Sequence, residues 1–296
     1  MLSPSNEMEV FVRVVEAGSL TRAAHALHVS PSAVSKVVAR LEARLGVTLL
    51  RRSARGLSLT DEGEAYYGRA RAILRDIEEA EDLVASRRRP RGLLRINCNV
   101  PFAEHCLVPI LPAFLERHPG LAVDLVETDQ PVDLVRTQTD VAIRTGVLVD
   151  SSLRARRLFA SARHVVASPG YLARHGTPLA PDDLAGHDCL GFNLRRSLDL
   201  WPFRMPDGEI RAHLATGRLR VDNGETMRRM ALAGVGLARL SGFHVGADLA
   251  AGRLVHLLEA FNPGDLEPVH AVYPEDTYVP ERIRAFVDFL VERLAA

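Results

Sequence analysis

SLTRAAHALHVSPSAVSKVVARLEARL, residues 19–45, predicts two short amphipathic helices separated by a tight break. The first half places apolar side chains at the spacing of a one-sided helix, with Ser19 as its expected N-cap. The second helix is expected to begin at Pro31 after an N-cap at Ser30, because proline has a preset φ and needs no donor at the first helical position. Two helices joined in this way are typical of a helix-turn-helix.

The two faces of the second helix differ sharply in chemistry. One face carries an apolar stripe that is expected to point inward, formed by Val34, Val37, Val38 and Leu41. The other face carries short hydrogen-bonding and positive side chains, Ser32, Ser35, Lys36 and Arg40, of a size that a DNA major groove accepts. Adjacent amphipathic helices also occur in many helical domains that bind no DNA, so this pattern alone leaves both interpretations open.

The following segment favours DNA binding. Residues 46–60 predict a β-hairpin with its turn at 54–56, and Arg51, Arg52 and Arg55 lie at or beside that turn. Guanidinium groups in that place suit phosphates or a narrow minor groove. Residues 1–60 contain seven Arg and one Lys against four Glu, a net charge of +4 in a chain that is neutral overall. This asymmetry is typical of a nucleic-acid-binding module.

The ordered motifs of the first sixty residues resemble the winged helix-turn-helix of the LysR-type transcriptional regulators. They are residues 8–11, 18–24, 29–36, 41–42, 45–52 and 59–63. The resemblance implies a recognition helix that uses Ser35 and Lys36 for base or phosphate contacts and a wing that uses Arg52 and Arg55 for the backbone or minor groove. The full expected DNA-contact set is Ser19, Ser30, Pro31, Ser32, Ser35, Lys36, Arg40, Arg52 and Arg55.

Length and composition exclude several other classes. The 296 residues, 47% hydrophobic and 25% charged, suit a globular protein of two or three units. Cys98, Cys106 and Cys189 have neither Cys-x-x-Cys spacing nor a histidine partner at ligand spacing, so the sequence predicts no metal site, no cofactor and no disulfide framework. No signal peptide or apolar run of about 20 residues is present, which predicts a cytoplasmic protein without a membrane partner.

Residues 61–91 predict a long helix followed by a hinge. Thr60 is its expected N-cap, and acidic residues fill the first turn. A heptad stripe of apolar residues runs along the helix at Tyr66, Ala70, Ile73, Ile77, Ala80 and Val84. The stripe either pairs with a second copy or packs on its own chain. The resemblance implies the first, a linker helix that builds a homodimer or homotetramer.

Residues 92–296 alternate between strand and helix patterns, which predicts an α/β domain with a parallel βαβ start. The expected strands are 93–98, 121–126, 141–144, 164–167, 219–222, 235–238 and 269–273, and the expected helices are 103–117, 226–233, 245–251 and 281–293. The motifs at residues 101–102, 140–146, 167–172 and 233–237 resemble the family's effector domain, similar in fold to type 2 periplasmic solute-binding proteins. The resemblance implies two Rossmann-like lobes, about 92–163 plus 267–296 and about 164–266.

A ligand is expected in the cleft between the lobes, at the carboxyl ends of strands. The candidate residues are Asn99, Val100, Pro101, Phe102, Arg144, Thr145, Phe192, Asn223, Glu225, Thr226, Ser241 and Phe243. Arg144 favours a carboxylate effector if it points into the cleft, and a structural ion pair is its alternative role. Glu225 counts against a strongly anionic ligand unless Arg144 neutralises it.

The sequence thus predicts a sequence-specific DNA-binding transcription regulator controlled by a small-molecule effector, with double-stranded DNA and RNA polymerase as partners. The alternative is an α/β enzyme or solute-binding protein that uses the cleft of residues 92–296. Nucleophile-elbow, zincin, Walker and dinucleotide-binding motifs are missing from the sequence, which disfavours the enzyme.

Overall fold

The computed structural model describes residues 4–53, 56–84, 90–130, 137, 139–148, 153–193, 196–274 and 279–294. The chain forms two compact units, Met1–Arg88 and Arg89–Ala296. The first corresponds to the predicted helix-turn-helix together with the long helix, and the second to the predicted α/β domain.

The first unit is a winged helix-turn-helix, as predicted. Its elements are α1 (Pro4–Ala17), α2 (Leu20–Ala26), α3 (Pro31–Leu45), β1 (Leu50–Ser53), β2 (Gly56–Leu59) and α4 (Asp61–Val84). Ser30 caps α3 as expected, since its hydroxyl accepts the N–H of Ala33 at 3.2 Å. Ser19 occupies the N-cap position of α2 but makes no side-chain cap bond, so its predicted capping role is wrong.

Two apolar clusters hold this unit together. Val14 of α1 packs with Ala23 of α2 and Val34 of α3, which fixes the three helices around the turn. Phe11 of α1 packs with Leu41 and with the start of the wing at Leu49. These residues are almost completely buried, and each such side chain contributes about 1.5–3 kcal/mol by leaving water.

Polar contacts attach the wing to the helices. The carboxylate of Glu42 in α3 accepts the N–H groups of Leu49 and Leu50 at 2.7 and 3.0 Å. Thr60 donates its hydroxyl to the Thr48 carbonyl at 2.7 Å and accepts the N–H of Gly63 at 2.9 Å. Thr60 is therefore the N-cap of α4, as predicted, and it also closes the base of the β-hairpin.

The second unit is built on one continuous sheet. Its strands are β3 (Gly92–Cys98), β4 (Leu121–Glu127), β5 (Val141–Thr145), β6 (Leu153–Ala167), β11 (Ala238–Ser241), β12 (Val255–Leu257) and β13 (Leu266–Pro274). They follow the order β4, β3, β5, β13, β6, β11, and β12 also pairs with β6. Strand β3 is parallel to β4 and β5, as the predicted βαβ unit requires, whereas β13 runs antiparallel to β5 and β6.

Lobe 1 is the part of this unit in which β3, β4, β5, β13 and the first half of β6 are covered by helices. These are α5 (Val100–Phe102), which continues into a π-helical turn at Ala103–Leu107, α6 (Leu111–Arg117) and α10 (Glu281–Leu294). Phe114 of α6 meets Phe286 of α10 at a ring separation of 5.2 Å inside a fully buried core. The final helix thus returns to the first lobe, as predicted.

Lobe 2 surrounds the second half of β6, which pairs there with β11 and β12. Its other elements are α7 (Pro169–His175), β7 (Gly191–Phe192), β8 (Leu200–Arg204), β9 (Ile210–Leu214), β10 (Arg220–Val221), α8 (Gly224–Leu232) and α9 (Gly242–Ala250). Tyr171, Trp201 and Leu237 are buried in one of its apolar clusters, and Met227 and Val245 in another. Strand β6 therefore belongs to both lobes.

Three predicted elements differ from the structure. The predicted helix at 103–117 is interrupted after Leu107, because Pro109 and Pro112 lack the N–H that would continue it. The strand predicted at 164–167 begins at Leu153, since its arginine-rich first half pairs with β13. The strand predicted at 235–238 begins at Ala238, because Gly234 adopts a φ of 75° and turns the chain out of α8.

Candidate DNA-binding surface and effector cavity

The polar face of α3 is turned to solvent. Pro31, Ser32, Lys36 and Arg40 are exposed, and Ser35 is half-buried. The opposite face is anchored in the core by Val34, Val38 and Leu41. Because the cap at Ser30 fixes the start of the helix, these side chains are presented in a fixed register. Such a surface can enter a major groove, with Lys36 supplying the positive charge.

Only part of the wing, the β-hairpin of β1 and β2, lies within the described residues. Arg51 is exposed on β1, and Arg52 lies on the same strand, paired with Leu57 across the hairpin. The side chain of Arg52 and the whole of Arg55 lie outside the described residues, so their predicted contacts with DNA stay predictions.

The predicted dimerisation stripe of α4 divides into two parts. Tyr66 packs against Phe11 at a ring separation of 5.4 Å, and Ala70 is fully buried in the same cluster, so this end contacts its own chain. Ile73 is half-buried, whereas Ile77 and Ala80 are exposed. The backbone of Val84 ends the helix, and its side chain lies outside the described residues. Among the described residues, Ile77 and Ala80 thus form the open end of the stripe, which is available to a partner.

A cavity of about 230 Å³ lies in the second unit between lobe 1 and lobe 2. Its lining includes both apolar and charged side chains. It is lined by Asn99, Pro101, Thr128, Asp129, Gln130, Ile143, Arg144, Thr145, Arg163, Phe192, Leu198, Asp222, Gly224, Leu240, Ser241, Phe243, His244 and Glu267. A space of this kind suits a small ligand with an apolar body and a few polar groups.

Seven of the predicted effector residues line this cavity: Asn99, Pro101, Arg144, Thr145, Phe192, Ser241 and Phe243. The other five lie beside or behind it. Phe102 is fully buried in the core of lobe 1, where it stacks on Phe159. Asn223 caps α8 by accepting the N–H of Thr226 at 2.8 Å. Val100 and Glu225 make bonds described below, and neither they nor Thr226 line the cavity.

Two arginines supply the positive charge of the cavity. Arg144 donates from Nη1 to the Asn97 side-chain oxygen at 2.8 Å and to the Ile143 carbonyl at 3.0 Å. Arg163 on β6, which the sequence analysis missed, is largely buried, and its Nε has no hydrogen-bond partner among the described residues. Its nearest carboxylate oxygen, Oε2 of Glu267, is 4.0 Å away. Burial lowers the pKa of Arg163 from its ordinary value.

Three acids also line the cavity, and each already has protein partners. Asp129 accepts the N–H groups of Val100 and Gly224 at 3.0 and 3.1 Å. Glu267 accepts the Ser241 hydroxyl at 2.9 Å. Asp222 accepts the side-chain amide of the neighbouring Asn223 at 2.8 Å. Burial raises the pKa of Asp129, although its two backbone hydrogen bonds oppose that shift.

Glu225 lies behind the cavity at the centre of a buried charged cluster. Its Oε2 contacts Nε2 of His105 from lobe 1 at 2.9 Å and Nε2 of His244 from lobe 2 at 3.0 Å. Arg228 and Arg229 donate to the same carboxylate at 2.9–3.1 Å. Burial raises the pKa of Glu225, but the hydrogen bonds from Arg228, His105 and His244 outweigh it and bring the value to about 2. Burial lowers the pKa of His244 to about 4.

Glu225 is therefore a satisfied structural anion rather than a group facing the ligand. The sequence analysis named Arg144 as the group that could neutralise Glu225. In the structure Arg228 and Arg229 balance its charge instead. Gly224, next to it, lies so close to lobe 1 that an added Cβ would meet Cγ of Pro101 at 2.9 Å.

The three cysteines are free and buried. Burial raises the pKa of each thiol to about 12, so the reactive thiolate form is scarce at neutral pH. Within the described residues, every helix is too short or too polar to cross a bilayer.

Both units match known protein families. Residues 5–64 match the family described as bacterial regulatory helix-turn-helix protein, lysR family, and residues 87–295 match the LysR substrate binding domain. The chain is 43% identical over 295 residues to the HTH-type transcriptional regulator CrgA of Neisseria meningitidis serogroup C, a match that covers 99% of this chain and 98% of that protein. It is 35% identical over 286 residues to the HTH-type transcriptional activator AaeR of Escherichia coli K12, covering 96% and 92%.

A solved structure of CrgA from Neisseria meningitidis superposes with a TM-score of 0.67 at 42% identity, over 100% of both chains. The relatives are transcription regulators, which removes the enzyme and solute-binding alternatives. This chain belongs to the LysR-type transcriptional regulators, with a helix-turn-helix DNA-binding domain and an effector-binding substrate domain.

Proposed function

We propose that this regulator responds to a small carboxylate bound between lobes 1 and 2. The observation that carries the proposal is the buried side chain of Arg163, which lines the cavity and whose Nε has no hydrogen-bond acceptor among the described residues. A buried donor left in this state costs about 1–3 kcal/mol, and a ligand oxygen would recover it. Arg144 lies in the same cavity and adds a second positive group.

The acids of the cavity support this choice. Asp129, Asp222 and Glu267 already accept hydrogen bonds from protein groups, so they do not need a cationic ligand. Phe192 and Phe243 supply apolar surface for the body of the ligand. A charge-assisted bond to a guanidinium then fixes its acidic end.

The DNA-binding part of the proposal rests on the exposed face of α3. Ser32, Ser35 and Lys36 would meet base edges or phosphates, and Arg40 and the wing arginines would hold the backbone. We propose that two copies pair through the open end of the α4 stripe, as a homodimer or within a homotetramer, and that DNA-bound protein acts on RNA polymerase. The predicted cytoplasmic location stays a prediction.

Ligand-dependent stabilisation tests the effector class. Purified protein is heated with benzoate or propionate and, in parallel, with the matching neutral amides. An acid at 100 times its Kd should stabilise the effector domain by about 2.7 kcal/mol, whereas its amide should require at least tenfold more ligand. Arg163→Met and Arg144→Met should each weaken the response to acids by about tenfold or more. Equal responses to acid and amide, or an unchanged response in both variants, would exclude this carboxylate site.

A further inference from the structure

A second cluster of histidine and carboxylate lies on the surface of lobe 2, away from the cavity lining. Nδ1 of His164 is 3.1 Å from Oε1 of Glu259, and Nδ1 of His256 is 3.5 Å from the same oxygen. The two imidazole rings meet edge to face, with centroids 4.7 Å apart. The candidate ligand atoms of these three residues all lie within 4.8 Å of one another.

Three backbone features bring this cluster together. His256 on β12 pairs with Val166 on β6, so it lies diagonally across from His164 on the same face of the sheet. Glu259 follows three residues after His256, at the start of a 3₁₀ helix. The chain reaches that helix through Leu258, whose φ of 56° is a left-handed conformation that a branched side chain seldom adopts. The fold thus holds the carboxylate against both rings.

The spacing fits a tetrahedral metal ion. Zinc binds imidazole nitrogen and carboxylate oxygen at about 2.0–2.2 Å, which separates neighbouring ligand atoms by about 3.4 Å. The observed separations of 3.1 and 3.5 Å lie on either side of that value. Two imidazoles and one carboxylate are also a donor set that zinc uses when its fourth position holds water.

The other candidate metal ligands among the described residues are less suited to bind a cation. The buried cluster at Glu225 has the same three ligand types, but Arg228 and Arg229 already occupy its carboxylate. Among the described residues, no guanidinium lies within 4.0 Å of the Glu259 carboxylate, and its further hydrogen bond comes from the neutral side chain of Asn262 at 3.3 Å. The cysteine thiols are buried and protonated.

The geometry points to a zinc-class divalent metal site formed by Nδ1 of His164, Nδ1 of His256 and the carboxylate of Glu259, with its fourth position open to water. The sequence alone predicts no such site, because the two histidines are separated by 92 positions and are joined only by strand pairing. Partial exposure of all three side chains gives the ion direct access.

Calorimetric titration of the untagged full-length protein with zinc chloride tests this site. Wild type should bind one zinc ion per chain with saturation, and magnesium chloride should give no comparable heat. His164→Gln and His256→Gln should each weaken zinc binding at least tenfold. His105→Gln in the buried cluster and His25→Gln on an exposed helix are the controls, and both should bind zinc as wild type does.

Cobalt absorption supplies an independent readout. Cobalt(II) in place of zinc should give the intense visible bands of tetrahedral coordination, and Glu259→Gln should weaken them while thermal unfolding of the variant stays close to wild type. The proposal is overturned if wild type shows no saturable zinc binding. It is also overturned if His105→Gln removes binding while His164→Gln and His256→Gln leave it intact.

Discussion

Asp129 in lobe 1 accepts the backbone N–H of Gly224 in lobe 2 at 3.1 Å. Its other carboxylate oxygen accepts the N–H of Val100 at 3.0 Å. One side chain therefore ties together the first residues of α5 and α8, which belong to different lobes. Free N–H groups at helix starts favour a negative partner. In this chain the carboxylate of Asp129 is the negative partner of both helix starts.

Removal of the Asp129 carboxylate should loosen this connection. Asp129→Ala leaves two N–H groups without their acceptor, at a cost of about 1–3 kcal/mol. Hydrogen exchange followed by mass spectrometry should show peptides containing Val100 or Gly224 exchanging about tenfold faster or more. Asp207→Ala removes an exposed carboxylate that bonds Arg211 on a hairpin, and it should leave these peptides unchanged. Unaltered exchange in Asp129→Ala would show that the bridge contributes nothing to lobe contact.

Acidification should lower the free energy of unfolding of the effector domain, through the titration of His244 and Glu225. The pKa of His244 is about 4 in the folded chain against an ordinary 6.5, so the unfolded chain takes up the proton first and stability falls between pH 6.5 and 4. The pKa of Glu225 is about 2 against an ordinary 4.5, so its stabilisation is complete above pH 4.5 and is lost as the pH falls towards 2. Both effects have the same sign.

Fluorescence of the single tryptophan, Trp201, which is buried in lobe 2, can follow urea unfolding at each pH. Stability should drop by about 3–4 kcal/mol between pH 7 and pH 4 in wild type. His244→Gln, which cannot titrate, should show a smaller drop over the same interval. An identical pH dependence in the variant would remove His244 from this account.

Two glycines of α4 should respond in opposite ways to the same substitution. A Cβ at Gly63 would meet the Leu49 carbonyl oxygen at 2.1 Å, whereas a Cβ at Gly68 would meet nothing within 4 Å. Gly63→Ala should destabilise the winged helix-turn-helix by about 1–3 kcal/mol through overpacking. Gly68→Ala should stabilise it by up to about 1 kcal/mol, since alanine is the better helix former. Thermal unfolding monitored by circular dichroism gives the Tm of each variant. Equal changes in Tm for the two variants would contradict the close packing of the wing on α4.

The helix-turn-helix could be predicted because its signals are local. Ser30, Pro31 and the stripe from Val34 to Leu41 lie within twelve consecutive residues, and they set the cap, the start and the buried face of α3. The heptad stripe of α4 was also visible, but the sequence could not show that Tyr66 and Ala70 pack on Phe11 of the same chain.

The cavity could be predicted in part, for a different physical reason. Asn99, Arg144 and Thr145 were found because they lie at the carboxyl ends of the parallel strands β3 and β5, where ligands collect. Asp129 follows β4 and fits the same rule, so its place after a parallel strand could have predicted it as a cavity residue. Arg163 and Glu267 lie on β6 and β13, and only the antiparallel pairing of these strands brings them together. No local pattern encodes that pairing.

Titration of the DNA upstream of its own coding sequence with wild type and Lys36→Ala, at several salt concentrations, tests the central claim that the exposed face of α3 binds DNA. Wild type should bind, and Lys36→Ala should bind more weakly with a salt slope reduced by about 1 if Lys36 meets a phosphate, or with relaxed sequence preference if it meets a base. Arg204→Ala, an exposed cation of lobe 2, should behave as wild type. Absence of wild-type binding in dilute buffer, or identical titrations for wild type and Lys36→Ala at every salt concentration, would contradict the claim.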